Sequence, residues 1–255
     1  AVDLRYFAAY PDETTRSTSN PVSHFARLGL PYPKSLLGYS DTGQQVDSRI
    51  QPNDVTIRIT DFPMDYMDAT AAHIAPIDYL SHVLLPPVFR QGRISTITLD
   101  PSAGYMTPIF WDEIPGILRG INVFHVSEEK IRSLFQGRSI DLWEMADAIA
   151  AYGCELVVIK RGIHGQYLLD NARHMRWIIP AYPSRVVDPT GAGDAFCGGF
   201  LAGFRETYDP LEAALRGNIS ASIVLEGTSP FYAVDSLPSL VELRLDSLRS
   251  LVRKL

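Results

Sequence analysis

The chain has 255 residues, 46% of them hydrophobic and 20% charged, a balance that fits a globular protein and excludes a disordered or fibrous one. A formal net charge of −6, with no cluster of Lys and Arg, argues against a phosphate-backbone binder, so nucleic acid is not expected as a partner. The two cysteines, Cys154 and Cys197, lie in apolar segments and do not suffice for a disulfide framework or a four-ligand zinc site. No apolar run approaches the roughly 20 residues of a membrane span and the N-terminus lacks the basic-then-apolar pattern of a signal peptide, so the expectation is a cytoplasmic protein without a membrane partner.

The chain opens at Ala1 and runs into Asp3-Leu4-Arg5 without an initiator Met, so the expectation allows for a missing start and a lost first strand. Through the first 90 residues Pro and polar residues break every apolar run. A helix is expected over 22–29, a half-exposed strand over 54–60 where polar and apolar residues alternate, and a strand over 71–75 running into Pro76. From about residue 94, short β-branched runs alternate with amphipathic ones, the pattern of βαβ units around a mainly parallel sheet. Residues 94–99, 121–126 and 155–160 are apolar enough to be buried on both faces and read as central strands. Between the last two, Leu142, Met145, Ala146 and Ile149 fall at helical spacing over 140–152, and Gly153 is suited to a left-handed cap. Residues 167–169 and 175–179 read as an antiparallel hairpin. Three helices follow, over 192–206, 210–225 and 237–254, with Pro189, Pro210 and Pro238 near their starts, where a missing N–H costs nothing.

The segment that carries chemistry is Asp188-Pro189-Thr190-Gly191-Ala192-Gly193-Asp194, where a strand meets a tight loop that passes straight into a helix. The backbone N–H groups of Gly191, Ala192 and Gly193 can there point at one spot with the helix dipole behind them, which attracts phosphate. Asp194, in the first helical turn, sets a carboxylate beside that spot. Phosphoryl transfer needs chiefly positioning, charge neutralisation and one base for the acceptor's proton, and this segment supplies such a set. The plainer alternative is a proline turn and a helix capped by Thr190 or Asp188. Further along the helix, Gly198, Gly199, Ala202 and Gly203 make a face small enough for close packing.

This segment resembles the signature of the ribokinase-like (PfkB) carbohydrate kinase family, which reads close to D-T-G-A-G-D. The resemblance extends over most of the chain from about residue 20. It implies an α/β fold, a three-layer Rossmann-like mainly parallel sheet flanked by helices, as one domain over 1–255 with small lid elements within 1–70. It implies ATP and Mg²⁺ as cofactors and a small-molecule acceptor, in a monomer or homodimer. Asp194 matches the family's catalytic base, Gly191, Ala192 and Gly193 its anion hole, and Asp188 falls where the family often lines a monovalent-cation site. The stretch from Lys160 and Arg161 through Gly162 to Gly165 is similar to the strand and glycine turn that contact ATP phosphates, with Lys160 or Arg161 supplying charge. Asn218 and Gly227 resemble the adenine-side helix and loop. Asn20 opens a stretch like the helix after the sugar-binding hinge, and Asp100-Pro101-Ser102 resembles a D-P-N stretch that borders the substrate.

The departures are specific. Thr15 and Arg16 replace the hinge glycines, and the magnesium-organising N-x-x-E motif reads Ser127-Glu128-Glu129-Lys130, with Glu129 as the candidate metal carboxylate and weaker metal binding expected. G-x-x-x-x-G-K-[ST], G-x-G-x-x-G, H-E-x-x-H and G-x-S-x-G are absent from the chain, which disfavours P-loop, dinucleotide, zincin and serine-hydrolase chemistry. His73, His82 and His125 lie in apolar runs and read as core or rim histidines. Three functions stay open: a sugar or polyol kinase, a nucleoside kinase of the same fold, and a member that binds ligand without turnover.

Overall fold

The computed structural model describes residues 7–10, 17–39 and 46–255, so Ala1, Asp3-Leu4-Arg5, Thr15 and Arg16 lie outside the described residues. The chain divides into two compact units, residues 1–45 and 46–255.

In the first unit Ala9 and Ser17 form an antiparallel bridge. Helix α1 spans Pro21–Arg27, where a helix was expected over 22–29. Asn20 caps it from a left-handed backbone (φ 50°), its Oδ1 accepting from Ser23 N–H at 3.2 Å. Phe7 meets His24 edge-on at 5.7 Å and packs against Phe25.

The second unit begins with irregular chain. Residues 54–60 do not form the expected strand. The side-chain Oδ1 of Asn53 accepts from Val55 N–H and Asn53 N–H donates to Thr56 Oγ1, both at 2.9 Å, which curls the chain, and a 3-10 turn follows at Ile59–Asp61. These local side-chain bonds outcompete an alternation that has no strand to pair with among the described residues. Strand β1 (Ala71–Ile74) leads into α2 (Tyr79–Phe89), capped by Asp78. The reading from sequence assigned no helix there, because Pro86 and Pro87 interrupt the stretch. Then come β2 (Thr96–Leu99), α3 (Ile114–Leu118), β3 (Val123–Ser127), α4 (Glu128–Leu134), α5 (Leu142–Ala150) and β4 (Leu156–Lys160). The hairpin is β5 (Gln166–Asp170) and β6 (Met175–Ile179), and α6 (Ala192–Thr207), α7 (Pro210–Val224), α8 (Pro238–Arg249) and β7 (Arg253–Lys254) complete the unit. The last expected helix stops at Arg249, and residues 253–254 pair with β6 instead, because an edge strand offers unpaired backbone groups.

The seven strands lie in chain order, β1 to β4 parallel and β5 to β7 antiparallel. Both faces are covered, which is why β3 and β4 are apolar without alternation. Phe124, Val126, Val157 and Ile159 join Leu85, Ile117, Ile131 and Met145 in the core under α2 to α5. Val123 and Val158 join Phe196, Phe200, Ile219 and Leu248 in the core under α6 to α8. Helices, sheet and helices therefore make the three layers of the expected α/β class.

Helices α6 and α7 approach closely because glycines meet at their crossing. A Cβ on Gly199 would stand 2.3 Å from Ser220 Oγ, on Gly203 2.7 Å from Arg216 Cδ, and on Gly217 2.7 Å from the Phe196 carbonyl. Gly198, expected on this face, is exposed, with nothing near its missing side chain.

Candidate functional site

The loop ahead of α6 is tied to the end of α7, since the N–H groups of Val187 and Asp188 donate to Leu225 O at 2.7 and 3.2 Å. Asp188 Oδ1 accepts from Thr190 N–H at 2.9 Å, an Asx turn that carries the chain around Pro189. Gly191 then starts the helix from φ 81°, a left-handed conformation suited to glycine, and no side chain caps it. Neither Thr190 nor Asp188 serves as the cap, because the Asp188 oxygen is used in the turn before it. Helices α2, α4, α5 and α7 each have a capping side chain. The end of α6, a helix of 16 residues, is open, as are those of the short α3 and of α8, which start at Ile114 and Pro238.

The donors left over can be named. Ala192 N–H makes a 3.3 Å turn bond to Pro189 O and Ala195 N–H bonds Gly191 O at 2.8 Å, whereas the N–H groups of Gly191, Gly193 and Asp194 have no hydrogen-bond partner among the described residues. The expected donor set of Gly191, Ala192 and Gly193 thus shifts to Gly191, Gly193 and Asp194. Such groups, with a dipole equivalent to about half a positive charge behind them, bind anions. The Asp194 carboxylate is exposed in the first turn and makes no hydrogen bond among the described residues.

The C-terminal ends of the parallel strands, where ligands bind in open α/β sheets, bring the remaining charges together. Asp100, immediately after β2, is 3% exposed. It is bridged by two ammonium groups: Lys160, at the end of β4, bonds Oδ2, and Lys130, on α4, bonds Oδ1 at 3.0 Å. Burial alone would raise the Asp100 carboxyl, but the two lysines outweigh it and hold it below its usual range. For Lys160 burial works downward and Asp100 upward, and the ammonium is held above its ordinary value. Lys160 Nζ also lies 3.5 Å from Cys197 Sγ, whose thiol burial pushes up to about 12, leaving it neutral. A Cβ built on Gly193 would stand 3.5 Å from the same Nζ, which sets Lys160 directly beneath the first turn of α6. Lys130 is therefore fixed to Asp100, and exchanging it for Glu would set two carboxylates against each other.

Lys160 and Arg161 part at the pleat. Arg161 turns to the opposite face, donating to Glu128 Oε2 at 2.9 Å with its guanidinium 4.4 Å from the Tyr167 ring centre, so it belongs to a packed surface stack. Burial would raise Glu128, but hydrogen bonds from Arg132 and Arg161 hold it low. Gly162 and Gly165 close the β4–β5 turn, and Gly165 lies against β6, where a Cβ would stand 2.0 Å from Ile179 O. Asn218 is 5% exposed and spends its amide inside the fold, donating to Gln166 Oε1 and Pro180 O and accepting from Tyr182 N–H at 2.8–3.0 Å. It thereby ties α7 to the 180–182 segment and to β5. Gly227 is buried against the Tyr232 ring. Asn20 is a helix cap in the first unit.

Glu129 is exposed on the first turn of α4, whose cap is Ser127 accepting from Lys130 N–H at 3.2 Å. Among the described residues no three His, Cys, Asp or Glu side chains form a group that could hold a metal ion. The open helix end fits a phosphate chain, and Mg²⁺ prefers phosphate oxygens, waters and one or two carboxylates, a demand these scattered carboxylates can meet once phosphates are bound. His73, His82 and His125 are core or rim histidines as expected. His73 Nδ1 meets Thr98 Oγ1 at 2.8 Å, His82 bonds Tyr105 and Ala75, and neither ring nitrogen of the fully buried His125 has a partner among the described residues. The Asp100 bridge to Lys130 and Lys160 was missed from sequence; an acid and a base at the C-terminal ends of two buried strands, which β3 separates in the sheet, were its only signal.

Known proteins resemble this chain in sequence and in fold. The chain is 31% identical over 154 residues to a cytidine kinase of Thermococcus kodakarensis, covering 60% of this chain and 54% of that one. The Thermotoga maritima ribokinase superposes with a TM-score of 0.57 at 20% identity, covering 71% of this chain and 59% of its own. A putative ribokinase II from E. coli, solved in complex with ATP and Mg²⁺, gives 0.58 at 19% identity over 72% and 60%. The chain spans about half the length of the curated relatives it matches. Among the described residues no helix is long and apolar enough to cross a membrane. Residues 92–235, more than half of the chain and including both the Asp100 bridge and the open end of α6, match the family described as pfkB family carbohydrate kinase, and the chain belongs to that family.

Proposed function

We propose that the protein transfers the terminal phosphoryl group of ATP to a hydroxyl of a small carbohydrate or nucleoside. The observation that carries this reading is the uncapped N-terminus of α6, with three unpartnered N–H groups and a free carboxylate in the same turn. The N–H groups of Gly191, Gly193 and Asp194 hold phosphate oxygens and neutralise charge that develops on them. Bound ATP with Mg²⁺ supplies the transferable group. Asp194 accepts the acceptor hydroxyl's proton at a carboxylate oxygen, which makes the oxygen a competent nucleophile. Gly162 and Gly165 shape the turn beside the nucleotide. Asp188 keeps one oxygen for a monovalent cation beside the loop, and Glu129 stands ready for a magnesium-bound water. The protein works in the cytoplasm as a monomer or homodimer, a placement supported by two buried, unbridged thiols.

The test is an ADP-release screen over sugars, sugar acids, polyols and nucleosides. An acceptor is expected to give turnover that Asp194→Asn lowers by about 10² or more while ADP affinity is unchanged. Near-wild-type turnover in that variant would remove Asp194 as the base. ATP binding with no acceptor in the screen would favour the member that binds without turnover.

A further inference from the structure

Arg244, on α8, is 8% exposed, an unusual depth for a guanidinium. Its Nη2 donates to both carboxylate oxygens of Glu226, at 3.0 and 2.9 Å, and its Nη1 to Ser222 Oγ at 3.1 Å. Ser222 gives its own hydroxyl hydrogen to Ile219 O at 2.7 Å, so its oxygen is free to accept. The guanidinium also lies 5.0 Å from the centre of the Tyr182 ring. These contacts surround one atom. Ser222 is in the last turn of α7, Leu225 is that helix's C-cap, and Glu226 follows it. A helix leaves its last carbonyls without intrahelical partners, and Leu225 O is the acceptor that tethers Val187 and Asp188 N–H ahead of α6. Arg244 therefore grips the turn on both sides of that carbonyl. Through Tyr182 it also meets the chain entering the tether, where Asn218 of α7 accepts from Tyr182 N–H at 3.0 Å.

We infer that Arg244 is a positioning residue for the phosphate-binding loop: it holds the end of α7 so that Leu225 O fixes residues 187–188, and with them the aim of the Gly191, Gly193 and Asp194 N–H groups. The inference rests on the kinase reading. Arg244 acts through the tether, because its bonds go to Glu226 and Ser222 and not to the loop itself. Donors stabilise an anion best when they already stand where its charge lies, and a misplacement of about 1 Å imposed from a distance can cost about 10²-fold. A guanidinium suits this task because its planar fork can span Glu226 and Ser222 at once, which a single ammonium cannot.

The experiment measures ADP binding to the full chain by calorimetry, at a temperature where circular dichroism shows each variant folded. Arg244→Met is expected to weaken ADP about tenfold, and Arg244→Lys to recover part of that loss. Because any change on α8 can lower stability, Leu248→Val is measured beside them: it trims a fully buried side chain of the same helix and leaves the arginine alone. It should lower the urea midpoint while ADP affinity stays within about threefold of wild type. Arg244→Met/Glu226→Gln should bind ADP no more weakly than Arg244→Met, since the two side chains act as one unit. Wild-type ADP affinity in Arg244→Met, an equal loss in Leu248→Val, or additive losses in the double variant would each overturn the role of Arg244 and leave the kinase reading intact. A wild-type chain that binds no ADP would overturn both.

Discussion

Gly191 and Gly193 are two residues apart in one loop, yet the structure gives them opposite reasons to be glycine. Gly191 has φ 81°, where an L-residue costs roughly 1–2 kcal/mol, so Gly191→Ala should lower stability by about that amount. Gly193 is helical and a methyl there would make only a 3.5 Å contact with Lys160 Nζ, so Gly193→Ala should leave stability equal or raise it by about 0.5–1 kcal/mol. The same methyl stands between Lys160 and the loop's free N–H groups and should cut kcat/KM about tenfold or more. Urea denaturation and turnover of the two variants separate these effects. A Gly193→Ala enzyme of wild-type rate would show the loop to be a turn alone. The sequence revealed the loop because its chemistry is contiguous, while Lys130 and Lys160 were separated from Asp100 by chain that only the sheet folds away.

At the scale of elements, α7 holds α6 in place. Gly217 lies where a Cβ would come within 2.7 Å of the Phe196 carbonyl, a backbone atom that can move only with its helix. Gly217→Ala should therefore destabilise by about 1–3 kcal/mol through overpacking. Gly198→Ala, on the exposed side of α6, should be neutral or stabilising by up to about 1 kcal/mol. Urea midpoints of both variants at unchanged slope check the pair, and equal midpoints would show that the helix crossing tolerates a wider separation. The small residues of α6 were legible as a packing face, but which of them met the partner was not, since that depends on the crossing with α7. The short helix α2 was concealed by its two prolines, and the alternation over 54–60 suggested a strand where the described residues offer no neighbour to pair with it.

Across the whole molecule, buried imidazoles make stability depend on pH. Burial is the largest cause in each case: it lowers His73 and His82 to about 4 and holds His125 well below its ordinary value. Unfolded, each titrates near 6.5. Between about pH 6.5 and 4 the unfolded chain therefore binds protons that the native state refuses, so stability falls with acid, by up to about 1.4 kcal/mol per pH unit for each histidine. Asp100, held below its usual range, adds to the loss at lower pH. Asp47, raised chiefly by burial, acts in the opposite sense below neutrality but is a single group. The urea midpoint should be flat from pH 7 to 8 and decline steadily from 6.5 to 4; a midpoint unchanged between pH 7 and 5 would contradict this.

The sequence by itself determined the α/β class, the strands from residue 94 onward and the Asp188–Asp194 loop, because a strand buried on both faces is apolar throughout and a helix-start anion loop is written in consecutive residues. The tertiary structure decided what depends on distant chain. The parallel register of β2, β3 and β4 brought Asp100 and Lys160 together, and the pleat sent Lys160 toward α6 and Arg161 toward Glu128 and Tyr167. The use of Asn218 inside the fold, the Asp188 bond that leaves α6 uncapped and the pairing of residues 253–254 with β6 were settled in the same way. Each turns on which donor or acceptor is nearest once the chain is packed, and residue type along a single chain carries no record of that proximity.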